Sequence, residues 1–376
     1  MGPLDAAPLP VVLIGAGKVA HAAHLREIRD LPHALRLVAV VESDPGRLAA
    51  VRAAGFPDAA ACATLDEAVR AGARAALCCT PWWTHREIVL ACLELGLPVL
   101  CEKPVSLDLA EIDELIAAER AAGVPVAAGY MKRHDPVVRL FLDHCRERLA
   151  VARRFTADIH DPNAPHQVAH LLPYDPPPYG PQPPPAVAAL VRALGEGAGD
   201  LRREVYARGL GGSLIHQVNL VHAVLADGGP GLYGKLLHAD QWAGGSAVSC
   251  RWRPDDGFAV DLTHARLPAH RRYREVLEFT AEDGVATLTL PSPYARDESA
   301  TLNVETWDAR TGVGTRRIHT AEPGRTGFRG QLVAWARSLG AGVGAGAGVA
   351  AAGPLPGLAE VRRDAGVVRE AALRLG

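Results

Sequence analysis

The chain lacks most of the marks that would set it outside the soluble globular proteins. Its seven cysteines (Cys62, Cys78, Cys79, Cys92, Cys101, Cys145 and Cys250) include no CxxC pair, and their number is odd. Neither a disulfide framework nor a zinc-finger spacing is present, so buried thiols serving as small hydrophobes in a reducing cytoplasm are expected. No apolar run approaches the roughly 18 residues of a membrane span. No basic segment precedes the first apolar run and glycines interrupt it, so the run reads as a strand and not as a signal peptide. A large excess of charge is absent too, with a formal net charge of −2. That balance gives no global field to attract nucleic acid or anionic lipid, and neither is expected as a partner.

What is present is core material. The 376 residues are 48% hydrophobic and 22% charged, enough for two globular domains. From residue 9 to about 129, short apolar runs alternate with helix-like segments, the pattern of βαβ units. Strands are expected at 11–14, 37–41, 75–79, 99–101 and 124–128, each continuous and apolar as in a sheet covered on both faces. Ser106 is expected to cap a helix running through Arg120. The segment 161–185 holds ten prolines, which excludes a helix or a central strand and suits a lid or an oligomer-contact loop. Further on, a glycine turn and helix are expected over 211–226 and a β-hairpin over 273–290. Residues 340–353 are nearly all Gly, Ala and Val and read as a flexible connection, followed by an amphipathic helix at 358–373.

Four clusters carry chemistry. Gly15-Ala16-Gly17-Lys18-Val19-Ala20 follows the first strand as G-x-G-x-x-A: a tight turn at Gly15, close backbone approach at Gly17 and close helix packing at Ala20. Glu42 ends the next strand, about 20 residues on, where an acid accepts from ribose hydroxyls. NAD is therefore the expected cofactor, with Ser43 and Arg47 leaving NADP open. Thr80-Pro81-Trp82-Trp83-Thr84-His85 follows the third strand at the same sheet edge. Thr80 can bond phosphate or ribose, one of Trp82 and Trp83 can cover the nicotinamide side with core packing the alternative for either, and His85 caps or orients the next helix. Glu102-Lys103-Pro104 ends the strand at 99–101, where open α/β sheets place their ligands and a partly desolvated ammonium can take part in proton transfer. Finally, His216 and Asn219 share a helix face after Gly211-Gly212-Ser213, flanked by Gln217, and His216 can exchange a proton with a substrate oxygen. His222 reads as structural. His160, His166 and His170 lie without a carboxylate pattern, and no metal site is expected.

Together these residues resemble the Gfo/Idh/MocA oxidoreductase family. The resemblance rests on the glycine loop at 15–20, Glu42, Thr80-Pro81 with His85, Cys101-Glu102-Lys103-Pro104, and residues 211–219. Gly129-Tyr130-Met131-Lys132-Arg133-His134-Asp135-Pro136 also resembles the segment that joins the two domains in one subgroup. The family implies an α/β chain: an N-terminal Rossmann domain (1–129, with the C-terminal helix of 354–376 packing back) and an α+β substrate domain (130–353). The second domain is built on an open, mostly antiparallel sheet whose exposed face joins subunits into a homodimer or homotetramer. It further implies NAD or NADP as cofactor and a sugar, cyclitol or similar small molecule as substrate. Lys103 is then the group at the reacting hydroxyl, Glu102 holds it, the Lys-Pro bond is cis, and Arg133, His216 and Asn219 face the substrate. Many members carry Asp-x-x-x-His on the helix after the glycines, and that pair is absent here. Instead His216 and Asn219 resemble a subgroup reading Gly-Ser-Leu-x-His-Asp-x-Asn, with Gln217 in place of the Asp. A redox-neutral enzyme that uses bound NAD transiently, or a dinucleotide-binding regulator, is the alternative expectation.

Overall fold

The computed structural model describes residues 7–162, 167–174, 180–225, 234–254, 258–341 and 354–375. The chain divides into two compact units. The first takes in the described residues of Met1–His134, Val168–Pro181 and Phe328–Arg362; the second those of Asp135–Gln167, Gln182–Gly327 and Arg363–Gly376. The observed division falls after His134, and the last helix (Leu358–Arg374) contributes residues to both units.

Six strands build the first unit: β1 (Leu9–Ile14), β2 (Leu35–Val41), β3 (Ala60–Cys62), β4 (Ala75–Cys78), β5 (Val99–Glu102) and β6 (Val126–Gly129). They form one parallel sheet in the order β3-β2-β1-β4-β5-β6. This is the doubly wound order, with the topological switch between β1 and β4. The continuous apolar runs follow from burial on both faces: Leu13, Leu77 and Leu100 are fully buried, each stabilising the fold by about 2 kcal/mol. Some helix starts are marked by side-chain caps, as at Asp44, whose carboxylate accepts from Gly46 and Arg47 N–H ahead of the helix Pro45–Ala53. The expected Ser106 cap is corrected here. Asp108 caps the helix Leu109–Ala122, while Ser106 accepts from Asp108 N–H and donates to Glu111.

Eight strands build the second unit: β7 (Ala152–Asp161), β8 (Lys235–Trp242), β9 (Ala247–Arg253), β10 (Ala259–Arg266), β11 (Arg274–Ala281), β12 (Gly284–Leu290), β13 (Thr301–Trp307) and β14 (Gly314–Thr320). Their order is β14-β13-β12-β11-β7-β10-β9-β8, antiparallel except for the β7–β10 pair. The expected hairpin is β11–β12. On the inner face, Phe155, Ile159, Leu277, Phe279 and Leu288 are fully buried. The helix Pro136–Glu147 buries Phe141 and Leu142, and the Phe141 and Phe155 rings lie 5.9 Å apart. Around β13 and β14, the face expected to join subunits exposes Trp307, Val313 and Ile318. No described helix is long and apolar enough to cross a membrane.

One expectation failed in kind. Gly211-Gly212-Ser213 is no turn but the end of a widened π-helical stretch, Val205–Leu214, which runs straight into the α-helix Ile215–Val224. Burial decided this. Leu210, Gly211 and Leu214 are all interior, and tertiary packing overrides the local preference of glycine for turns. Most of the Gly/Ala connection at 340–353 lies outside the described residues.

Candidate active site

The glycine loop stands where β1 ends. Gly15 has φ +82°, and a Cβ there would meet Thr80 Cγ2 at 2.7 Å, so both conformation and space demand glycine. Gly17 opens onto space: a Cβ would meet nothing nearer than Cys79 O at 3.9 Å, leaving the cradle that a pyrophosphate needs. Glu42 closes the loop from β2. Its Oε2 accepts from Ala16 N–H at 2.8 Å and its Oε1 from Asp44 N–H at 3.0 Å, with Arg47 Nη1 at 3.8 Å. Ser43 Oγ also donates to Oε1, at 3.5 Å, so Oε2 is the oxygen that keeps a lone pair for a ribose hydroxyl. Glu42→Ala is expected to weaken NAD binding and to shift the NADP/NAD preference about tenfold towards NADP, because the carboxylate repels a 2′-phosphate that Arg47 attracts. Titration of both cofactors checks it.

Thr80 and His85 connect this loop to the lysine. Thr80 Oγ1 accepts from Thr84 Oγ1 at 2.8 Å. His85 is buried, with Nε2 2.8 Å from Thr80 O and Nδ1 2.9 Å from Pro104 O. The imidazole therefore ties the loop after β4 to the loop after β5; it is a positioning group beneath the expected cofactor site. Pro81 is exposed and Trp82 half-buried, edge-on to Trp83 at 5.9 Å. Cys78, His85 and Cys101 bring their ligand atoms within 4.8 Å of one another. Both His85 nitrogens already face carbonyl oxygens, so a metal there would have to displace one of them. The Cys101 S–H pulls the Cys78 thiol down to about 6, while burial pushes Cys101 well up.

Glu102-Lys103-Pro104 follows at the end of β5. The Lys103–Pro104 bond is cis. Lys103 is half-buried, and its N–H donates to Glu102 Oε2 at 3.3 Å. Glu102 Oε1 lies 2.7 Å from Nε2 of His24, which is fully buried. A carboxylate only accepts, so Nε2 is the protonated nitrogen. His24 reaches this position from the π-helical turn Ala20–His24 that follows the glycine loop. Opposite, a Cβ at Gly129 would lie 3.0 Å from Glu102 Cα and 3.1 Å from its carboxylate, so any larger residue there would have to push the glutamate aside by a few tenths of an ångström. Sequence reasoning missed His24 and Gly129, whose partners lie far away in the chain. Arg133 Nη1 donates to Glu360 Oε2 of the last helix at 2.5 Å.

The second unit holds two polar networks of its own. Gln217 is buried and donates to Glu275 Oε1 at 2.6 Å, and the Tyr273 hydroxyl donates to Glu275 Oε2 at 2.5 Å. Burial first, then the Glu275 charge, pushes the Tyr273 phenol well up. This explains the residue at 217: an Asp there would set two carboxylates against each other, whereas a carboxamide donates. The other network joins the helix Ile215–Val224 to the last helix. Asn219 Nδ2 donates to Asp364 Oδ2 at 2.7 Å, and His222 Nδ1 hydrogen-bonds Asp364 Oδ1. All three are buried. The Asn219 carboxamide nitrogen, expected at substrate, is thus engaged inside the unit. His216 is buried on the same helix.

Comparison with known proteins agrees with the first unit. A family model described as an oxidoreductase family with an NAD-binding Rossmann fold matches residues 9–130. The model is that of the Gfo/Idh/MocA oxidoreductases, and its match is confined to the N-terminal part of the chain; the cofactor class it carries is a nicotinamide dinucleotide. Inositol 2-dehydrogenase 1 of Paenarthrobacter aurescens is 36% identical over 129 residues, 34% of this chain and 38% of the relative. Inositol 2-dehydrogenase 1 of Saccharopolyspora erythraea is 39% identical over 128 residues, 34% of this chain and 38% of the relative. The chain thus matches these family members over about 38% of their length. Among solved structures, a 3-ketoreductase from Actinomadura kijaniata with NADP and TDP-benzene superposes with a TM-score of 0.67 at 18% identity, covering 96% of both chains. UDP-N-acetylglucosamine 3-dehydrogenase from Acidithiobacillus ferrooxidans gives 0.66 at 16% identity, covering 98% of both. At these identities the likeness establishes the two-sheet fold alone.

Proposed function

We propose that the chain is an NAD(P)-dependent oxidoreductase that oxidises a secondary hydroxyl of a sugar, cyclitol or related polar ring, or reduces the matching ketone. The observation that carries this reading is Lys103. It stands at the end of β5, the strand beside β4, so the sheet brings it to the edge that also holds the Gly15 turn and Thr80. When bound, the nicotinamide supplies the hydride acceptor or donor. Gly15, Gly17, Lys18, Val19, Ala20, Glu42, Ser43 and Thr80 would hold the dinucleotide, and the open space at Gly17 fits it. Lys103 exchanges the proton of the reacting hydroxyl: the amine takes it during oxidation and the ammonium returns it during reduction. The His24–Glu102 pair fixes the backbone from which Lys103 projects. His216 stays in the proposal as a second group for proton exchange. The inositol dehydrogenases among the relatives support a ring polyol as substrate class.

A panel of inositols, aldoses and nucleotide sugars, with NAD and NADP, tests the reading by the absorbance of the reduced nicotinamide. At least one ring polyol should be oxidised. Binding of dinucleotide with no polyol oxidised and no ketone reduced would instead support a non-catalytic regulator.

A further inference from the structure

The proline-rich insertion sends Tyr174 to the cofactor domain. Val168–Pro181 belongs to the first unit although its flanks belong to the second. Tyr174 meets two residues there. Its ring lies edge-on to the His21 imidazole, with centroids 5.6 Å apart at 84°. The Arg47 guanidinium lies over the same ring, 5.7 Å from its centroid. Neither neighbour is incidental. His21 belongs to the helical turn that follows the glycine loop, and Arg47 lies 3.8 Å from Glu42, the residue expected at the ribose. The Tyr174 hydroxyl is buried and has no hydrogen-bond partner among the described residues. A buried hydroxyl without a partner costs free energy, and one held beside a ligand cradle points to a partner supplied by the ligand.

We propose that Tyr174 is a cofactor-binding residue: it walls the adenosine half of the dinucleotide site, and its hydroxyl bonds the adenosine ribose. This rests on the dinucleotide reading of the first unit and adds to it a residue from outside the sheet. The Arg47 contact gives the ring a second function, holding the guanidinium over the ribose end where it meets a 2′-hydroxyl or 2′-phosphate. Burial pushes the Tyr174 phenol up, so it remains a protonated donor at neutral pH.

The test measures binding to the full chain of NADH, ADP-ribose and reduced nicotinamide mononucleotide, the last of which lacks adenosine. Tyr174→Phe is expected to weaken NADH and ADP-ribose about 5-fold, the loss of one hydrogen bond. Tyr174→Ala is expected to weaken both about 20-fold, through faster dissociation, by losing the ring contacts as well. The mononucleotide should bind all three proteins alike. Parent-like NADH affinity in Tyr174→Ala, or an equal loss for the mononucleotide, overturns the proposal. Absence of any dinucleotide binding by the parent chain overturns the reading beneath it, and the proposal with it.

Discussion

Lys103→Ala is expected to lower turnover about 10³-fold while leaving dinucleotide affinity within about threefold of the parent. The size follows from what a positioned proton-transfer group contributes, roughly 10²–10⁴. The selectivity follows from geometry. The expected pyrophosphate and adenosine-ribose contacts belong to the Gly15 loop and Glu42, so most of the dinucleotide's binding groups survive the substitution. The backbone it leaves behind stays pinned, because Glu102 still accepts from the main-chain N–H of residue 103 and still pairs with His24. Steady-state rates on the substrate found by the polyol panel, with cofactor titration of the same variant, give both numbers. Unchanged turnover removes Lys103 from the chemistry. A parallel collapse of cofactor binding shows instead that its role is structural.

Asp364→Ala is expected to be costly in another way, destabilising the second unit by about 3–5 kcal/mol, or roughly 10 °C in Tm. Asp364 is fully buried on the last helix and receives Asn219 on one oxygen and His222 on the other. Truncation strips a partner from two buried polar side chains and leaves a cavity where the carboxylate was. Chemical denaturation checks the magnitude. Asp364→Asn should recover part of the loss, since a carboxamide oxygen still accepts one of the two bonds. A variant as stable as the parent would mean that water replaces the carboxylate at no cost.

Those residues also show where the sequence could be read and where it could not. The strands of the first sheet were legible because parallel strands buried on both faces must be continuously apolar. β3, at three residues, is too short to leave such a trace. Gly15, Glu42 and the cis bond before Pro104 were legible because local spacing or a resemblance announced them. His24 was not: its meaning lies in Glu102, 78 positions away. Asp364 meets Asn219 across 145 positions and reads, in sequence, as one more charge on an amphipathic helix. Gln217 looked like a lost acid until Glu275 appeared beside it, on a strand that periodicity alone marks as apolar on its inner face. The prolines of the insertion argued against a helix, yet the helix Pro184–Leu194 starts within it, because proline is tolerated in a first helical turn that needs no N–H, and they said nothing of where Tyr174 would land.

The turn Ala20–His24 is wound as a π-helix, and one residue more than an α-turn separates His24 from the glycines. In an unbroken α-helix the same residue would be rotated by about 100° and would face away from Glu102. The unit of change at this position is therefore a deletion or an insertion, not a substitution. Removing one residue between Gly17 and His24 would restore the α-turn and carry the imidazole away from Glu102, with every other side chain of the loop unchanged.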